Sequence, residues 1–165
     1  VGGIVYPSFN STNGISLDLF ISGCAREPHC ENCHNHELWD FNAGVQISLD
    51  ELFKIIKNKS IIDAVAVMGG EPLHNIYIRD ILSGIRELNK QVWLYTSYDI
   101  FEIPENVLSL CDYIKTGRYM PEHKVNDGWL ATSNQKIYRV DNYTFSPELY
   151  YEEKGAVEDR LLAIL

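Results

Sequence analysis

Five apolar residues, Ala64-Val65-Ala66-Val67-Met68, run without a polar break into Gly69-Gly70-Glu71-Pro72. So short and uniformly apolar a run reads as a strand buried on both faces, and the glycine pair ending it reads as a turn. Strands of that kind sit in parallel sheets covered by helices, and the flanking sequence keeps to the scheme. Upstream, Ile15 to Ser22 reads as a first strand. Ser48 with Glu51 three residues later is a capping box, and Leu49, Leu52, Phe53 and Ile56 recur at helical spacing, predicting a helix from about Ser48 to Asn58. Downstream, Ile78, Ile81, Leu82, Ile85 and Leu88 mark a second amphipathic helix beginning near His74. Gln91 to Tyr95 reads as a third strand, residues 104–110 as a short helix opened by Pro104, and Tyr113-Ile114-Lys115 as a fourth strand.

The alternation predicts an α/β fold with a mostly parallel sheet and crossover helices. About four βα units are too few to close an eight-stranded barrel, so the expected architecture is an open, partial (βα) barrel. Its C-terminal rim would gather the loop after the first strand, the Gly69 to Pro72 turn, and Thr96-Ser97. Residues 1–14 read as an entry segment with an edge strand at Ile4 to Tyr6 and a turn at Asn13-Gly14. From Arg118 a polar stretch with Pro121, Asp127-Gly128 and Ser133-Asn134-Gln135 leads to a strand at Lys136 to Val140. Ser146-Pro147 is a helix-start signal, which leaves the tail as a packed final helix or a docking arm. The 165 residues suit one domain, 1–165, with its core at about 13–140 and a tail at 141–165.

Three of the four cysteines, Cys24, Cys30 and Cys33, follow the first strand as Cys24-x5-Cys30-x2-Cys33. Three thiolates at the C-terminal end of a parallel strand can hold a soft metal centre. Structural zinc is closed by four ligands, usually two short-spaced pairs. Only Cys30 and Cys33 form such a pair, with His29, His34 and His36 as candidates for a fourth ligand, so zinc stays open. A 4Fe-4S cluster on three cysteines is the other reading; it leaves one iron for a ligand from outside the protein, which implies catalysis. A disulfide would leave one thiol of the trio unpaired. Cys111, alone beside a predicted strand, reads as a small buried hydrophobe, and Trp39 and Phe41 as cover for the cysteine loop. Fourteen Lys and Arg against 23 Asp and Glu give a net charge of -9, which opposes a phosphate backbone, so nucleic acid is not an expected partner. No signal-peptide pattern and no apolar run of bilayer length occurs; the expectation is a cytoplasmic protein with reduced thiols and no membrane partner.

The cysteine loop after the first strand and Gly69-Gly70-Glu71-Pro72 after the second carry a resemblance to the radical S-adenosylmethionine enzymes. Asn13-Gly14 ahead of Leu19-Phe20-Ile21-Ser22-Gly23-Cys24, the turn at 69–73, Lys115-Thr116-Gly117-Arg118-Tyr119 and Ser133-Asn134-Gln135 narrow it. Together they resemble the branch of glycyl-radical activases that serve the anaerobic ribonucleotide reductase. The resemblance spans roughly residues 13–140.

It implies an oxidoreductase whose Cys24, Cys30 and Cys33 hold a 4Fe-4S cluster, with the open iron chelated by the methionine end of S-adenosylmethionine. Gly69 and Gly70 would approach the methionine ammonium, and Glu71 would fix the turn or add negative charge. Backbone groups of Asn32, Cys33 and His34 would meet the adenine; Thr96 or Ser97 would reach the ribose or the methionine end. Reductive cleavage would give a 5'-deoxyadenosyl radical, which takes a hydrogen from a glycine of the partner reductase. The electron would come from a reductant such as flavodoxin or a thioredoxin-type system. Two departures stand out. The family's usual first gap is three residues where this chain has five, and Asn32 stands where many radical enzymes carry an aromatic. The runner-up is a radical enzyme acting on a small molecule, of the deazaguanine synthase type, and the rival from another class is a non-catalytic, zinc-stabilised binding module.

Overall fold

The computed structural model describes residues 1–126, 129–152 and 155–156. Strand β1 (Gly3–Ser8) opens the chain and pairs antiparallel with β2 (Ser16–Ile21). Helix α1 (Leu49–Lys57) crosses over to β3 (Ala64–Gly69), α2 (Ile78–Glu87) to β4 (Gln91–Tyr95), and the single turn α3 (Glu105–Leu108) to β5 (Tyr113–Thr116). Strands β6 (Lys136–Val140), β7 (Pro147–Glu152) and β8 (Gly155–Ala156) complete one open sheet in the order β1 to β8. The pairings from β2 to β5 are parallel. Those of β1, β6, β7 and β8 are antiparallel.

The sheet is therefore mixed, not mostly parallel. The parallel part is four strands with three intervening helices, as the hydrophobic runs predicted; β1, β7 and β8 join it antiparallel through connections too short for a crossover, and β6 joins it antiparallel through residues 117–135. Ser146-Pro147 does not start a helix. It leads into β7, where Pro147 sits at the first strand position, one of the few that tolerates a missing N–H. The Asp127-Gly128 turn and the acidic, leucine-ended tail lie outside the described residues.

Sequential strand order sends every crossover the same way, so all three helices cover one face. On that face Leu17, Leu19, Val65, Val67, Val92, Leu94 and Ile114 are fully buried against Ile56, Leu82 and Ile85. Each such side chain contributes about 1.5–3 kcal/mol, which makes this layer the main stabilising term. The opposite face carries Ala64, Ala66 and Trp93, where Trp93 stacks on Tyr113 at 4.3 Å and meets Trp129 at 5.7 Å. Helix α1 is set by the predicted capping box: Ser48 Oγ accepts from Glu51 N at 3.2 Å, and Glu51 accepts from Ser48 N at 3.0 Å. The crossovers leave the C-terminal ends of β2, β3, β4 and β5 side by side on one rim. Among the described residues no helix is long and apolar enough to cross a membrane.

Candidate metal centre

The cysteine loop leaves β2 at Ser22 and folds back on itself. Gly23 N donates to Leu38 O at 2.8 Å and Cys24 N to Trp39 O at 3.0 Å, so the segment from Gly23 to Trp39 closes as a ring. Trp39 stacks on His29 with ring centroids 4.0 Å apart, and a His29 ring nitrogen bonds Cys24 O at 3.1 Å. This is the covering role expected of Trp39. Cys24, Cys30 and Cys33 are free thiols, each half-buried. Burial is the main cause that pushes the Cys24 thiol pKa up; a hydrogen bond from the Arg26 backbone opposes it, and the charges of Glu71, Cys30 and Cys33 add to it.

The glycine turn is pressed against this loop. Gly70 N donates to Ile21 O and Glu71 N to Gly23 O, both at 2.8 Å. A Cβ on Gly70 would overlap the Gly23 carbonyl oxygen and lie 2.8 Å from Leu38 O; Gly69, at φ +123, would drive one into the Ile21 backbone. Both glycines are thus required by backbone crowding, whatever ligand they serve. The Gly69 carbonyl accepts from Asn35 Nδ2 at 3.0 Å, a further tie between turn and loop.

Glu71 is the hub of the rim. Its side chain is 1% exposed. Oε1 accepts from Thr96 Oγ1 at 2.7 Å and from Leu73 N at 3.2 Å; Oε2 accepts from Ser97 N at 2.8 Å and Ser97 Oγ at 2.6 Å. Thr96 and Ser97, expected beside a ligand, direct their hydroxyls to this carboxylate. Asn32 is exposed at φ 51 in the Cys30–Cys33 turn, and Cys33 N donates to Cys30 O at 3.3 Å. His34 is exposed, its ring 4.7 Å from that of Tyr119, and His36 lies 3.6 Å from Glu37. Among the described residues no three His, Cys, Asp or Glu side chains converge on one ion. The thiolates of Cys24, Cys30 and Cys33 are a soft donor set, of the kind that holds zinc or an iron–sulfur cluster.

Sequence reading missed several contributors. Ala25 N donates to His74 Nδ1 at 2.9 Å, which leaves Nε2–H to face Tyr98 OH at 2.7 Å. Arg26 bonds Ser97 and lies over Tyr98. Arg118 Nη2 donates to Pro28 O. Gly117, at φ +100, and Arg118 are held from below: Gln135 Nε2 donates to Gly117 O at 3.1 Å and Asn134 Nδ2 to Arg118 O at 2.8 Å. This gives the Ser133-Asn134-Gln135 motif a role as the support of the Gly117–Arg118 turn. That motif and Lys115-Thr116-Gly117-Arg118-Tyr119 were the sequence signals pointing there.

An open α/β sheet with three free thiols on a strand-end loop, backed by a glycine turn, defines a protein built to hold a soft metal centre at its rim. Residues 11–138 match the family described as a 4Fe-4S single cluster domain, and the chain belongs to that family. It is also 26% identical, over 140 residues covering 76% of this chain and 88% of the other, to the anaerobic ribonucleoside-triphosphate reductase-activating protein of Vibrio cholerae.

Proposed function

We propose that this protein is a radical S-adenosylmethionine activase that installs a glycyl radical on an anaerobic ribonucleoside-triphosphate reductase. The observation that carries the reading is the contact between the cysteine loop and the Gly69–Glu71 turn through Glu71 N and Gly23 O. It supports the reading because it ties the loop that carries the three cysteines to the turn that carries Gly69, Gly70 and Glu71. The kinship to an activating protein supports the choice of partner. In this reading the rim is that of a partial (βα) barrel, and the whole chain works as one domain.

Cys24, Cys30 and Cys33 would hold the cluster. Bound there, it would supply the electron for reductive cleavage of S-adenosylmethionine. The chain's own groups bind and orient that ligand and keep water out. Gly69 and Gly70 expose backbone where no side chain can intrude. The exposed turn at Asn32, Cys33 and His34 would meet the adenine, while Glu71 fixes Thr96 and Ser97 beside the methionine end. The preorganised hydrogen bonds of Glu71 mean that little rearrangement is needed on binding. The partner reductase contributes the glycine, and a flavodoxin or thioredoxin-type protein the electron.

Anaerobic reconstitution with iron and sulfide, followed by a reductant, S-adenosylmethionine and the reductase, tests the reading. Methionine and 5'-deoxyadenosine should form, and a glycyl doublet should appear in the electron paramagnetic resonance spectrum of the reductase. Cleavage without any radical on the reductase would favour a small-molecule substrate instead.

A further inference from the structure

The segment between the first two cysteines, Ala25 to His29, is gripped from every neighbouring strand end. After β3, His74 accepts from Ala25 N. After β4, Ser97 takes two hydrogen bonds from Arg26: Nε to Oγ and Nη2 to the carbonyl oxygen, each 3.0 Å. The guanidinium carbon also lies 3.6 Å from the centroid of the Tyr98 ring. After β5, Arg118 donates to Pro28 O. Within the segment, the Arg26 side chain makes the bonds to the Ser97–Tyr98 turn that follows β4. Its acceptor, Ser97 Oγ, is the same atom that donates to buried Glu71 at 2.6 Å. A continuous path therefore runs from the cysteine loop through Arg26 and Ser97 to Glu71 and back to Gly23 through Glu71 N.

We propose that Arg26 is a positioning residue that docks the Cys24–Cys30 segment onto the Ser97–Tyr98 turn, so that a five-residue gap presents its two thiols as rigidly as a tight loop would. A flexible gap of this length costs little to close but leaves its ends loosely placed. The planar guanidinium, making two directed bonds and one stacking contact, removes that freedom in a way an ammonium cannot. Arg26 acts through Ser97 and, by way of Ser97 Oγ, through Glu71.

The test compares the unsubstituted protein, Arg26→Ala, Arg26→Lys, Ser97→Ala and the Arg26→Ala/Ser97→Ala double variant, all reconstituted without oxygen. Hydrogen–deuterium exchange read by mass spectrometry should show protection falling together at residues 24–30 and 96–98 in Arg26→Ala, with peptides of α1 and α2 unchanged. Release of iron to a chelator should quicken about tenfold, the factor that about 1.4 kcal/mol of lost attachment gives. Arg26→Lys should recover only part of both, and the double variant should fall short of the sum of the two single effects, because the Arg26 Nε bond to Ser97 Oγ is lost in either one. Unchanged exchange at 96–98 in Arg26→Ala, full rescue by lysine, or additive effects in the double variant would each overturn the proposal. The iron readout rests on the cluster reading, whereas the exchange comparison does not. If the unsubstituted protein holds no cluster, that reading fails and the exchange data still decide the role of Arg26.

Discussion

Replacing Glu71 by glutamine isolates what a carboxylate does at the centre of this rim. Glutamine fills the same volume, so packing is conserved and the hydrogen-bond inventory alone changes. The carboxylate now accepts four hydrogen bonds, two from backbone N–H groups, Leu73 N and Ser97 N, and two from the hydroxyls of Thr96 and Ser97. An amide has one acceptor and one donor end. With its oxygen toward Thr96 and Leu73, its NH2 confronts Ser97 N–H; turned over, it confronts Leu73 N–H. The hydroxyls can rotate, but one backbone N–H is stranded in either orientation. A buried donor left without an acceptor costs about 1–3 kcal/mol, and loss of the charge-assisted bonds adds to it, so Glu71→Gln should destabilise by about 2–4 kcal/mol. Urea unfolding of the metal-free protein should show a lower midpoint at unchanged slope. Cysteine-loop exchange should rise with it, because Glu71 N also anchors Gly23. A change below about 0.5 kcal/mol would refute the claim that Glu71 organises the rim, since surface substitutions of no structural consequence fall in that range.

Gly70→Ala should push the cysteine loop off the turn, because the added methyl meets the backbone of Gly23 and Leu38 and not a movable side chain. A loss of about 2–3 kcal/mol and poor iron uptake are expected, measured by unfolding and iron assay. Alkylation of the folded, metal-free protein near pH 8 should modify Cys24, Cys30 and Cys33 and spare Cys111. Cys111 is 1% exposed, and its thiol pKa is driven far up by burial, with nearby Asp112 adding to it. Peptide mass mapping that finds Cys111 modified would contradict this. The Glu51 carboxyl is held below its ordinary range by the Ser48 backbone N–H and then by the Ser48 hydroxyl. Its stabilisation is present above about pH 4.3 and is lost as pH falls through the depressed value. The gap in unfolding midpoint between wild type and Glu51→Ala should therefore close on acidification, and a gap that widens would exclude the cap.

Local features were legible in the sequence where one signal had one meaning. Ser48 and Glu51 can form a capping box without help from the rest of the chain, and Ala64 to Met68 has no exposed alternative. Both appear as read. Ser146-Pro147 suits a helix start and an edge strand equally, and the strand forms because β6 supplies a ladder and Trp129 receives Tyr150 and Tyr151. No local pattern carries those pairings. The contacts of Arg26, His74, Tyr98 and Arg118 were invisible for a similar reason, although Arg118 itself stands in a motif that carries the resemblance. Their partners lie 71, 49, 24 and 90 residues away, and a lone polar residue on a loop looks the same whether docked or free. Gly69 and Gly70 were found by sequence as room for a ligand. The structure gives them a prior duty, the crossing of β3 past the backbone of β2 and the cysteine loop. The extra length between Cys24 and Cys30 read as a departure; here it is the stretch that reaches the ends of β3, β4 and β5.

Metal and sulfide analysis of protein purified without oxygen, run beside Cys24→Ala, Cys30→Ala and Cys33→Ala, probes the three-thiol cluster most directly. The account predicts four irons and four sulfides per chain, as a single 4Fe-4S cluster requires, and loss of the cluster in each variant. About one tightly held zinc per chain, or an intact cluster in any one of the three variants, would contradict it.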